Sequence, residues 1–137
     1  KAAFDTRRSI GETLSATIAS GGLDVAVRQY NELKAAGTDT YNFDERELND
    51  LGYKLLQRKQ FKEAIRIFQL NVEAYPHSSN VYDSLGEAYM DDGNRLEAVA
   101  NYKRSLRLNP KNYNAAVMLQ KLNAPLKCGQ TQTCGPI

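Results

Sequence analysis

Along most of the chain, apolar residues return at intervals of three and four, the spacing that keeps side chains on one face of a helix. Ile10, Leu14 and Ile18 do so in RRSIGETLSATIAS, and Tyr82, Leu85 and Tyr89 do so in VYDSLGEAYM. No strand signal competes. The pattern predicts seven helices at roughly 7–20, 22–36, 44–57, 61–75, 78–91, 95–108 and 112–123. The closing PLKCGQTQTCGPI has no helical period and reads as a tail.

Set against itself at an offset of 34, the stretch ELNDLGYKLLQRKQFKEAIRIFQLNVEAYPHSSN superimposes on VYDSLGEAYMDDGNRLEAVANYKRSLRLNPKNYN. Leu51-Gly52 repeats as Leu85-Gly86, Ala64 as Ala98, Phe68 as Tyr102 and Pro76 as Pro110. A fixed period of this length marks supersecondary units that bury their apolar faces against their neighbours. The repeated glycine is informative, because in a helix interior it costs about 1 kcal/mol relative to alanine. Its place predicts a helix contact too close for a side chain, with Ala98 as the second small residue and Tyr102 as the facing bulk. Pro76 and Pro110 are expected to end second helices, with Ser78 or Ser79 and then Asn112 capping the next helix in each case. Lys59 stands where the second unit has Gly93, so it must carry the interhelix turn without glycine's freedom.

This order of residues resembles the tetratricopeptide repeat. Tyr82, Leu85, Gly86, Tyr89, Gly93, Ala98, Tyr102 and Pro110 fit the family pattern in the unit 79–112, while the unit 45–78 departs from it at Leu48, Leu55 and Lys59. A weaker unit, 7–44, emerges when Gly21, Ala26 and Tyr30 are matched to Gly93, Ala98 and Tyr102. It is offset by 38 residues rather than 34, so about four extra residues around Tyr41-Asn42-Phe43-Asp44 are expected to plug a widened joint. The resemblance implies an all-α fold, an α-α superhelix (a solenoid) of about three helix-turn-helix repeats spanning 1–124. A C-terminal capping helix at 113–123 closes it, and 125–137 forms the tail.

It also implies a non-catalytic protein-protein interaction module that binds a peptide or a companion domain through a concave face. In this register that face carries Arg46, Asn49 and Tyr53, then Asn80, Asp83 and Glu87, then Asn114, Val117 and Lys121. Asp83 and Glu87 favour a basic or amine-bearing partner. Chaperone-docking members of the family hold a terminal carboxylate in a clamp of lysine, asparagine and arginine. Here the comparable slots carry Asn49, Tyr53, Asn80 and Ser84, so a chaperone C-terminus is not the expected ligand. Residues 7–123 are also similar to the helical repeat region at the C-terminal end of bacterial secreted serine hydrolases of the beta-lactamase-like and esterase-like kinds. That likeness supplies the alternative, an accessory domain whose covalently linked hydrolase domain holds the activity, and it transfers no catalytic residue.

Composition narrows the rest. A chain of 137 residues is one domain's worth, and with 25% charged residues, a mean hydropathy of −0.56 and no long apolar run it is expected to be soluble, with no membrane span. The 18 basic and 16 acidic residues give a net charge of +2 and are read as interspersed, so no basic stripe and no nucleic-acid partner are expected. Beginning at Lys1, the chain fits either a processed mature protein or a piece of a longer one.

Candidate chemistry is sparse. The single histidine, His77, lies in a turn after Pro76, with no nucleophile elbow or oxyanion glycine run to accompany it. Asp91, Asp92, Gly93 and Asn94 fail as a calcium loop, because the remaining donor slots fall on Ala88, Met90 and Val99. The chain is therefore read as no enzyme, with no metal site and no cofactor. Cys128 and Cys134 are close enough in sequence for a disulfide, which favours an extracytoplasmic (periplasmic or secreted) location, although two free thiols have the same sequence.

Overall fold

A computed structural model describes residues 4–123; the expected tail, with Cys128 and Cys134, lies outside the described residues. All seven predicted helices are present: α1 (Ile10–Gly21), α2 (Leu23–Ala35), α3 (Glu45–Gln57), α4 (Phe61–Ala74), α5 (Ser79–Asp91), α6 (Arg95–Leu108) and α7 (Tyr113–Asn123). They form three helix-turn-helix hairpins, α1 with α2, α3 with α4 and α5 with α6, and α7 then packs on α6. The chain divides into two compact units between Pro76 and His77.

One strand pair departs from the all-helical expectation. β1 (Arg8–Ser9) runs parallel to β2 (Tyr41–Asn42), with Arg8 opposite Tyr41 and Ser9 opposite Asn42. The Arg8 amide donates to the Thr40 carbonyl at 2.8 Å. The first helix consequently starts at Ile10, not near residue 7. Ser9 is in extended backbone, and its Oγ accepts from the Glu12 amide at 3.0 Å, so the same residue ends the strand and caps the helix.

In the N-terminal unit the core is built from Ile10 and Leu14 of α1, Ala26 and Tyr30 of α2, Leu48, Leu51 and Leu55 of α3, and Ala64, Ile67 and Phe68 of α4. Burying a large apolar side chain contributes about 1.5–3 kcal/mol, so this packing holds the hairpins closed. The residues between α2 and α3 plug their joint: Phe43 is buried, with its ring edge-on to Tyr30 at 5.8 Å. The Tyr75 hydroxyl donates to the Phe43 carbonyl at 2.6 Å, and burial pushes that phenol's pKa up. Helices α1 and α3 meet at Gly11, where a Cβ would lie 2.8 Å from the Glu47 carbonyl oxygen.

In the C-terminal unit Ala98, Tyr102 and Ala115 form a buried cluster, with Tyr89, Met90, Leu106, Met118, Leu119 and Leu122 packed around it. Gly86 faces Tyr102 as expected, since a Cβ there would come within 3.2 Å of three ring atoms. The turn of this hairpin uses Gly93 at φ 81°, and the turn of α3–α4 uses Lys59 at φ 59°. Both residues are left-handed, a conformation that is unfavourable for any residue with a Cβ.

Candidate peptide-binding faces

Three of the expected binding residues sit on α5 and three on α7, all within the C-terminal unit. Asp83 is half-buried, and its carboxylate is held by two amides: Asn114 Nδ2 donates to Oδ1 at 2.8 Å, and Asn112 Nδ2 donates to Oδ2 at 3.1 Å. Asn112 also donates to Ser105 Oγ at 2.8 Å, and its own Oδ1 accepts from the Ala115 amide at 3.3 Å, capping α7. Ser105 Oγ donates to the Ser79 carbonyl at 2.8 Å, and Ser79 Oγ donates to the Ser105 carbonyl at 3.0 Å. One connected polar chain therefore joins the start of α5, the end of α6 and the start of α7, and it presents Asp83 in a fixed orientation. Around it Asn80, Asn114 and Lys121 are exposed, Glu87 is half-buried, and Val117 is 46% exposed. Two amide donors thus occupy one acceptor position on each carboxylate oxygen of Asp83, while Glu87 is one helical turn further along the same helix.

The three expected residues of α3 belong to the N-terminal unit and differ among themselves. Arg46 is exposed and Asn49 half-buried. Tyr53 is half-buried and packs edge-on against Phe68, centroids 5.2 Å apart, so its ring serves the α3–α4 contact as well as the surface.

A cleft of about 230 Å³ in the N-terminal unit was not anticipated, lined by Ser9, Gly11 and Glu12 around the start of α1 and by Glu47, Asp50, Leu51 and Lys54 of α3. Glu47 Oε1 accepts from Ser9 Oγ at 2.5 Å and from the Gly11 amide at 3.1 Å, which fixes one wall of the cleft. Gly11 in the first helix was its only sequence signal. Among the described residues no group of three or more His, Cys, Asp or Glu side chains is arranged to hold a metal ion. No helix among them is long and apolar enough to cross a membrane.

These features define a helical-repeat protein with polar faces on its first helices. Residues 79–112 match the family model described as tetratricopeptide repeat, so the chain carries at least one such repeat, and its fold is that of tetratricopeptide-repeat proteins. Among solved structures it is similar to the first such domain of Spaghetti (RPAP3) bound to the HSP90 peptide SRMEEVD. That match has a TM-score of 0.57 and 23% identity, over 82% of this chain and 86% of that one. It is also similar to MamA, residues 41 to the end, from Desulfovibrio magneticus RS-1, with a TM-score of 0.56 and 21% identity over 83% of this chain. The chain spans 62% of that MamA structure's length. The likeness to secreted serine hydrolases rests on the sequence alone.

Proposed function

We propose that this chain is a non-catalytic scaffold that holds a peptide segment of a partner protein against the outward faces of its first helices, chiefly α5 and α7. The observation carrying this reading is the fixed Asp83 carboxylate, flanked by Asn80, Glu87, Asn114, Val117 and Lys121. Asparagines offer donors and acceptors to an extended backbone, Val117 offers a small apolar contact, and Glu87 selects for a basic side chain. That a neighbour of the same fold is bound to a peptide supports the peptide reading. The ligand class differs in charge, since SRMEEVD is acidic and this face carries Asp83 and Glu87.

An array of immobilised peptides with graded charge tests the proposal. Basic peptides should retain the purified chain, and Glu87→Lys should reverse the preference while leaving helicity unchanged. Indifference to peptide charge in both proteins would remove α5 as the binding face.

A further inference from the structure

Whole-chain totals conceal how the charges are placed, and the expectation of even interspersion needs correction. Residues 98–137 hold six of the 18 basic residues and none of the 16 acidic ones. Five of those six, Lys103, Arg104, Arg107, Lys111 and Lys121, lie among the described residues and are exposed. Arg104 rests over the Tyr82 ring at 5.6 Å. Lys103, Arg107 and Lys111 have no carboxylate partner among the described residues. On α6, Leu96, Ala100, Lys103 and Arg107 recur at i, i+4, i+7 and i+11, so they share one outward stripe, all exposed. Leu96 is 84% exposed at the start of that helix, and Tyr113 is 82% exposed two residues beyond Lys111.

We infer that the outer face of α6, continued through the α6–α7 turn, is a docking surface for an anionic lipid bilayer. Lys103 and Arg107 on one face of α6, with Lys111 in the turn that follows it, meet a surface of negative headgroups without having to break existing ion pairs. An exposed leucine and an exposed tyrosine bracketing them suit the headgroup boundary, where an aliphatic side chain finds hydrocarbon and a phenol finds both hydrocarbon and water. A polynucleotide would use the cations equally but has no place for Leu96. Among the described residues Tyr113 is the one exposed ring beside the cations, since Tyr102 is buried and Tyr82 is covered by Arg104, so a succession of stacking platforms for consecutive bases is not offered there. Binding of this kind is peripheral, reversible and screened by salt.

Cosedimentation of the full chain with phosphatidylcholine vesicles, with and without phosphatidylserine, tests this. The chain should pellet with the phosphatidylserine vesicles at about 0.1 M salt and be released at about 1 M, where the screening length falls to about 3 Å. The triple variant Lys103→Gln, Arg107→Gln, Lys111→Gln should lower the partition coefficient about a hundredfold, since each cation near such a surface contributes about fivefold. Leu96→Ser with Tyr113→Ser should lower it with no change in charge. Helicity of both variants, read by circular dichroism, should match the parent because every altered residue is exposed. Equal pelleting with uncharged vesicles, or a triple variant that binds as the parent does, would overturn the inference. So would salt-sensitive retention on duplex DNA with none on phosphatidylserine vesicles, which would assign the face to nucleic acid.

Discussion

Gly52 and Phe68 touch so closely that a methyl group on the glycine would fall within the ring's van der Waals envelope. The equivalent pair, Gly86 and Tyr102, is looser, with the hypothetical methyl 3.2 Å from the ring. The same substitution should therefore have different consequences in the two hairpins. Gly52→Ala should destabilise by about 1–3 kcal/mol, as overpacking does. Gly86→Ala should come out near neutral, because the helix-propensity gain of about 1 kcal/mol offsets a displacement of a few tenths of an ångström. Urea unfolding of both variants checks this, and equal losses would refute the assigned difference in packing.

Lys59 adopts the left-handed conformation that Gly93 adopts in the next hairpin. A side chain in that region costs about 1–2 kcal/mol, and glycine's extra freedom in the unfolded chain returns about 0.4–1 kcal/mol of this. Lys59→Gly should raise the thermal midpoint by a few degrees. A lower midpoint would mean that the lysine makes compensating contacts.

Both of these features could be read from the sequence because a 34-residue repeat supplies its own control: Gly93 marks the turn that Lys59 must make, and Gly86 marks the contact that Gly52 makes. The seven helices were legible for a related reason, since three- and four-residue spacing is local. The β1–β2 pair was not legible, because two residues from each of two segments some 30 positions apart leave no periodicity. On the candidate binding face, Asp83 and Asn114 were both anticipated but the hydrogen bond between them was not, since it depends on how α7 sits on α6. The acid-free stretch after Glu97 was open to plain counting, and was lost only in a sum over the whole chain.

Asn112 serves three partners: it caps α7 and donates to Asp83 and to Ser105. Replacing it with alanine removes the cap, typically worth about 1 kcal/mol, and leaves the buried Ser105 hydroxyl with one partner fewer. Asn112→Ala should cost about 1–3 kcal/mol, and amide hydrogen exchange should accelerate first in α7. Uniform acceleration across the C-terminal unit would contradict a local role.

Asp5 hydrogen-bonds to the Arg7 guanidinium and amide, which lowers its pKa to about 2. A carboxyl depressed in the folded state favours that state above its ordinary pKa near 4, and the preference disappears as pH falls through about 2. Carbon NMR titration should find Asp5 ionising near 2, and Arg7→Gln should return it toward the ordinary value. A parent value at the ordinary carboxylate level would show that the pair does not persist in solution.

The reciprocal bonds between Ser79 and Ser105 have a consequence for how the third hairpin is aligned. Apolar surfaces hold two helices together but tolerate sliding, because one methyl group is much like the next. Each serine here reads the other's carbonyl, and a slip of a single residue, about 1.5 Å along the axis, would part both bonds together. Hydrocarbon supplies the grip between α5 and α6, and two small hydroxyls act as the vernier that sets where along each other the helices stop.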